Sequence, residues 1–310
     1  MTVPPKQLGG EIDPNAWNFS RVGEDGPLPN PVGHTFPIVT HDVAGGWRVI
    51  GTGFYISNTG FFATARHVVE DVFHAGQQQS PLLIIQFASP TNMFAPTECF
   101  LRPIVQCWLS NSADVALGFA APLQNKETGK FLETWAWTLS FVTPPNRARV
   151  VTYAFPNHVT ADDGTSISFQ PDAYDGVVEE SGDFRDRVNL PFPYLQVSAR
   201  IHGGASGGPI IESGRVVGIN CSELSQNVDH SPGPGFGAQS RCLADAFLDG
   251  LVLPGETIPR RVTFSEMVRA RIVNADQSNQ STSSAPGGRL VYPHMPPTAP
   301  LPRIFTAFYG

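Results

Sequence analysis

One serine in this chain sits where a nucleophile would be placed. Ser206 lies in the run Gly203-Gly204-Ala205-Ser206-Gly207-Gly208-Pro209. There glycine opens backbone angles closed to other residues and removes side chains that would block a close approach. A hydroxyl held this way is a candidate to attack a carbonyl carbon, and the flanking N–H groups are candidate donors to the resulting oxyanion. Such a run also serves as a plain turn, so its meaning depends on a base and an orienting acid elsewhere. His67 follows Thr64-Ala65-Arg66, and Asp114 leads directly into the apolar stretch Val115 to Phe119. A carboxylate is costly to bury unless something pairs with it. A histidine N–H is a fitting partner, because the carboxylate fixes the ring tautomer and stabilises the imidazolium of the reaction. Taken singly, His67 reads equally as a hydrogen-bonded structural histidine and Asp114 as a surface turn residue.

The elements that would position these groups are short strands. Phe36 to Thr40, Trp47 to Ile56, Phe61 to Thr64, Leu82 to Phe87, Cys99 to Leu109 and Val115 to Phe119 read as six strands separated by turn residues, enough for one small antiparallel barrel. His67 falls just past a strand end and starts a short helical turn. A second set runs through 149–155, 166–169, 174–179, 194–198, 209–212 and 215–221, with Ser213-Gly214 as a tight turn after the serine loop. Leu243, Ala246 and Phe247 have helical spacing, which predicts a closing helix over Ser240 to Leu248. Thr263-Phe264-Ser265-Glu266 is a capping-box pattern, opening a short helix to about Val273. Residues 277–288 read as a flexible linker. The proline-rich end closes on Ile304-Phe305-Thr306-Ala307-Phe308-Tyr309, either a polyproline-like tail or a docking strand over an edge or the cleft.

The order His67, Asp114, Ser206, at separations of 47 and 92 residues, resembles the chymotrypsin-like (trypsin-like) serine peptidases. The resemblance is carried by Thr64-Ala65-Arg66-His67, Asp114-Val115-Ala116-Leu117 and Gly204-Ala205-Ser206-Gly207-Gly208-Pro209. It implies an all-β fold of two antiparallel six-stranded β-barrels, with the closing helix and an extended tail. The expected division is a lead segment 1–35, a first barrel 36–120, a crossing 121–148, a second barrel with closing helix 149–253, and a short helix, linker and tail 254–310. It further implies a serine endopeptidase acting on protein or peptide substrates through an acyl-enzyme, with Gly204 and Ser206 N–H as the oxyanion site and no metal or organic cofactor.

Departures from the family pattern are informative. Ala205 stands where digestive members carry aspartate, so activation by an inserted amino terminus is not expected. Arg200 stands six residues before the serine, where Lys/Arg specificity wants an acid. With Asn220, Cys221, Ser222 and Glu223 it would border the substrate pocket, but Arg200 and Glu223 point to opposite preferences, and both could face solvent. Val68 replaces the cysteine that secreted members carry after the histidine. Cys99 with Cys107 and Cys221 with Cys242 are conceivable disulfides, yet without an apolar leader in this stretch the pattern favours free thiols and a cytoplasmic setting, a secreted or polyprotein-derived origin remaining open.

The 310 residues hold a net charge of −7, with 41% hydrophobic and 15% charged residues and 30 Gly and 29 Pro. That composition suits a turn-rich β protein and gives no support for nucleic-acid binding. No apolar run is long enough to span a bilayer. An inactive homologue serving as a peptide-binding module is the alternative on the same fold. An esterase would place its serine on a strand-turn-helix elbow with the histidine last, and a zinc hydrolase would need histidines at ligand spacing; neither pattern is present.

Overall fold

The computed structural model describes residues 33–42, 46–74, 82–87, 97–123, 134–160, 167–185, 190–201, 203–223, 233–276 and 306–307. Six strands make the first barrel: β1 (Thr35–Asp42), β2 (Gly46–Tyr55), β3 (Phe61–Thr64), β4 (Leu82–Phe87), β5 (Thr97–Leu109) and β6 (Ala116–Ala120). They follow the order β5-β4-β1-β2-β3-β6, and β6 pairs back onto β5 to close the ring. A helix α1 (Arg66–His74) leaves the end of β3. The second barrel comprises β7 (Arg149–Thr160), β8 (Ile167–Gly182), β9 (Tyr194–Val197), β10 (Pro209–Glu212), β11 (Arg215–Glu223) and β12 (Gly235–Gln239), closed in the order β10-β11-β12-β9-β8-β7.

Strand alternation explains why the two barrels pack together. In β4 every residue is buried. Leu82 and Ile84 join the main core, while Leu83, Ile85 and Phe87 face the other way. In β7, Val150 and Ala154 fill the second barrel while Tyr153 and Phe155 face outward. The two outward sets meet in a seam with Val39, Trp47 and Phe169. Phe87 stacks on Phe155 at 5.3 Å, and Phe169 meets Phe155 edge-on at 6.4 Å. Pairs of this kind add about 0.5–1.5 kcal/mol each beyond area burial. Inside the first barrel lies the buried Arg102, which has no carboxylate partner among the described residues. Arg102 gives its Nη1 to Tyr55 Oη and Gln86 Oε1 and its other nitrogens to the carbonyls of Ala120 and Ala121. Carbonyls and neutral side chains thus satisfy the donors that burial would otherwise leave unpaired.

The structure differs from the sequence expectation in four places. Residues 166–169 and 174–179, expected as two strands, belong to the single 16-residue β8. Pro171 is tolerated there because the ladder shifts at a bulge, Ala154 pairing with Asp172 and Asn157 with Gln170, so no bond from its nitrogen is needed. The sixth strand is instead β12, in the glycine-bearing Gly235–Gln239. The expected closing helix over Ser240 to Leu248 is only a 3-10 turn, Ser240–Leu243, after which the chain enters β13 (Phe247–Leu251). Antiparallel pairing of β13 with β14 (Arg260–Thr263) and the left-handed Gly250, φ 79°, override the local helical spacing. The capping box at Thr263 forms as expected, but its helix α2 spans only Phe264–Arg269.

The tail contributes β15 (Thr306–Ala307), which pairs antiparallel with Glu98 and Thr97 of β5. The lead segment before residue 33 and the linker 277–288 lie outside the described residues. Cys107, Cys221 and Cys242 carry free thiols, and the Cys99 side chain lies outside the described residues.

Candidate active site

His67 reaches the site through a rigid hairpin. Ser57 Oγ accepts from the N–H groups of Thr59 and Phe61 at the turn between β2 and β3, and β3 itself is wholly buried. The chain leaves that strand through buried Ala65, so His67 stands in the first turn of α1. Asp114 closes the bend between β5 and β6, where Ser110 Oγ accepts from the N–H groups of Ser112 and Ala113. Arg66 braces the bend from the helix side, donating to the Ser110 carbonyl at 2.7 Å and to Glu70 Oε1 at 2.5 Å. Sequence reasoning missed Arg66, whose partner in the bend is 44 residues away.

Both oxygens of Asp114 are taken by His67. The backbone N–H of His67 donates to Oδ1 at 3.0 Å, and ring Nδ1 stands 2.8 Å from Oδ2. A carboxylate at Nδ1 places the ring proton there and leaves Nε2 as the basic nitrogen. Burial pushes the Asp114 carboxyl up, but the ring hydrogen bond and charge of His67, its backbone N–H and the Cys221 thiol outweigh burial and hold it below its ordinary value. Asp114 is therefore an anion at neutral pH, with 23% of its side chain exposed, whereas His67 is 49% exposed. The acid is shielded and the base is accessible.

Ser206 is held by its glycines. Gly207 has φ 86°, and a Cβ built on it would lie 2.1 Å from Thr64 Oγ1 and 2.2 Å from the Thr52 carbonyl. No side chain fits there, so glycine lets the serine loop press against the strand end three residues before His67. Gly204 also has φ 86°. Gly208 N–H donates to Ala205 O at 3.0 Å and Gly207 N–H to Asn220 O at 2.7 Å. Among the described residues, neither the Gly204 nor the Ser206 N–H has a hydrogen-bond acceptor. Ala205 between them is fully buried.

Cys221 connects the three side chains. Ser206 Oγ donates to the Cys221 carbonyl at 3.2 Å, Cys221 Sγ donates to the Asp114 carbonyl at 3.6 Å, and the Asp114 carboxylate holds His67. The structure thus gathers into one place three residues spread over 140 positions of sequence. Of the expected pocket residues, Arg200 and Ser222 are exposed, Cys221 is buried with its carbonyl on Ser206, and the Glu223 side chain lies outside the described residues. Asn220 is a correction. It is fully buried, its Nδ2 donating to Thr152 Oγ1 and, at 3.4 Å, to the Ala205 carbonyl. It supports the serine loop from below and has no surface left for a ligand. Among the described residues, no cluster of three or more His, Cys, Asp or Glu side chains could hold a metal ion, and no helix is long and apolar enough to cross a membrane.

Comparison with known proteins gives one family. The trypsin-like peptidase domain model matches residues 51–219. No curated protein matches the chain significantly. Among solved structures, the chain is similar to Deg5 at 18% identity and TM-score 0.45, over 67% of this chain and 84% of that one. It is similar to the active form of the Rv3671c protease from M. tuberculosis at 20% identity and TM-score 0.46, over 76% and 86% of the two chains. The MamO protease domain from Magnetospirillum magneticum gives 14% identity and TM-score 0.45, over 67% and 93%.

Proposed function

Because the chain belongs to the trypsin-like peptidase domain family, we propose that it is a serine endopeptidase that cleaves protein or peptide substrates with Ser206, His67 and Asp114. The observation that carries this reading is the two-point grip of Asp114 on His67, at 3.0 and 2.8 Å. A structural histidine needs one partner. A catalytic base needs its tautomer and its ring plane fixed together.

In the proposed reaction the Ser206 hydroxyl turns from the Cys221 carbonyl to His67 Nε2. As Oγ bonds to the substrate carbonyl carbon, its proton passes to Nε2. The tetrahedral oxyanion is met by the N–H groups of Gly204 and Ser206. Collapse breaks the C–N bond, and the Nε2 proton leaves with the amine. Water then attacks the acyl-enzyme by the same steps, with His67 taking the water proton and returning it to Ser206. Asp114 stays ionised throughout, in keeping with its depressed pKa. Each oxyanion donor is worth about 2.7–4 kcal/mol in systems of this chemistry.

Buried Ala205 gives an incoming amino terminus no carboxylate to meet, so activity in this reading does not await a newly cut chain end. The position six residues before Ser206 holds Arg200 where Lys/Arg specificity wants an acid, so this reading does not include classical trypsin specificity. A fluorophosphonate probe tests the proposal. Wild-type protein should be labelled and Ser206→Ala should not. Folded wild type that stays unlabelled at high probe concentration would leave the peptide-binding homologue as the better description.

A further inference from the structure

Thr52 on β2 makes four hydrogen bonds around the serine loop while being fully buried. Its hydroxyl donates to the Gly204 carbonyl at 2.8 Å and accepts from the Phe155 N–H at 3.1 Å. Its own N–H donates to the Ser206 carbonyl at 2.8 Å. Its carbonyl accepts from Thr64 Oγ1 at 2.7 Å, three residues before His67. Thr52 belongs to the first barrel, whereas Gly204, Ser206 and Phe155 belong to the second.

We propose that Thr52 is a positioning residue that sets the oxyanion-binding conformation of the 204–206 loop and registers it against His67. This rests on the serine peptidase reading of the site. In a trans peptide the carbonyl and the following N–H point to opposite sides. The Ala205 carbonyl is held by Gly208 N–H and Asn220 Nδ2, which turns the Ser206 N–H to the far side. Thr52 takes the carbonyls on either side of that peptide, those of Gly204 and Ser206. Three consecutive carbonyls are therefore committed to the protein. The glycine at 204, free to rotate in isolation, is anchored at φ 86° by a single hydroxyl.

That hydroxyl must donate and accept at once. Serine shares the ability, cysteine does so weakly, and valine lacks it at nearly the same size.

The experiment pairs steady-state kinetics on a peptide substrate with hydrogen exchange of the 203–208 segment, in wild type and in Thr52→Ser, Thr52→Cys and Thr52→Val. A misplacement of about 1 Å costs roughly a hundredfold in a reaction of this kind. Thr52→Val should therefore lower kcat about 30- to 100-fold with KM within about threefold, and should speed exchange in 203–208 while distant strands keep their protection. Thr52→Ser should restore both to near wild type, and Thr52→Cys should fall between. Thr52→Cys also serves if Thr52→Val does not fold. Unchanged kcat and exchange in Thr52→Val overturn the proposal. So does exchange that rises throughout the molecule and is not rescued by serine, since that pattern marks a merely structural residue. If wild type itself neither labels nor turns over, the peptidase reading fails by that result. The exchange series then decides separately whether Thr52 orders the loop.

Discussion

Replacing Asp114 by asparagine removes one charge and keeps the shape, so its effect follows from the two contacts with His67. The carboxylate accepts from the backbone N–H at 3.0 Å and faces Nδ1 at 2.8 Å. Asparagine has one acceptor and one donor in those places. If its oxygen keeps the backbone N–H, its NH₂ faces Nδ1 and forces the ring proton onto Nε2, where the base is needed. If it flips, NH₂ opposes the backbone N–H, and α1 keeps only the Arg66 contact with the Ser110 carbonyl as its tie to the bend. The first arrangement is the cheaper, so the expected loss is one of tautomer. In triads of this kind that loss is about 10⁴ in kcat, or about 5.5 kcal/mol of activation free energy. Hydrolysis of a fluorogenic peptide, with circular dichroism to establish folding, reads it. A folded Asp114→Asn retaining a tenth of wild-type kcat would refute the argument. A stability measurement adds a signed check. Because the folded pKa of Asp114 lies below its ordinary 3.8, its ionised form stabilises the native state above that value, and the contribution is lost as pH falls through the lower, folded value. The stability advantage of wild type over the variant should therefore be complete at neutral pH and should shrink below about pH 4.

Two further substitutions test the scaffold. Gly207→Ala places a Cβ 2.1 Å from Thr64 Oγ1 at φ 86°; left-handed strain of about 1–2 kcal/mol plus the overlap should lower Tm by on the order of 5 °C and abolish most activity, both read on one purified sample. Glu266→Gln weakens the cap of α2, where Glu266 Oε2 accepts from the Thr263 N–H at 2.7 Å and Oε1 pairs with Arg260 at 3.0 Å; the loss at pH 7 should be about 1 kcal/mol by denaturant titration. The Thr263 N–H first, and then Arg260, hold that carboxyl down to about 2, so the wild-type advantage should disappear between the ordinary carboxylate value of 4.5 and pH 2, and an advantage unchanged at pH 2 would contradict the assignment.

Where local sequence and tertiary context agree, the fold was legible. Phe61–Thr64, Leu82–Phe87 and Pro209–Glu212 have the bounds read from sequence, because each is an apolar run between turn residues. The glycines around Ser206 were legible because only glycine suits φ 86° at 204 and 207. Glycine also misled. In β12 it reads as punctuation, yet a Cβ on Gly237 would lie 2.3 Å from Ile210 Cδ1, and one on Gly235 would lie 2.7 Å from Ile201. Those glycines make room for side chains from elsewhere in the barrel, a requirement no local window contains. Thr52 was invisible for a related reason. Its hydroxyl partners are 103 and 152 residues away, and nothing in Gly51-Thr52-Gly53 distinguishes it from any strand threonine. Asn220 reads with Cys221, Ser222 and Glu223 as one strand edge along the pocket, but its side chain is fully buried on Thr152 Oγ1 and the Ala205 carbonyl, partners that no local window contains.

Cys221 shows why the site tolerates a cysteine at its centre. Its thiol stands beside the Asp114 backbone carbonyl, and its own carbonyl receives the serine hydroxyl. A thiolate there would add a second negative charge next to the ionised Asp114. Burial pushes the Cys221 pKa well above its ordinary value, and the Asp114 charge raises it further, so at neutral pH the group remains a neutral S–H. As S–H it is a weak donor, with the carbonyls of Asp114 at 3.6 Å and Ile219 at 3.5 Å as its acceptors. The same burial that makes this thiol unreactive therefore keeps it from adding a second charge beside the Asp114 carboxylate that holds His67.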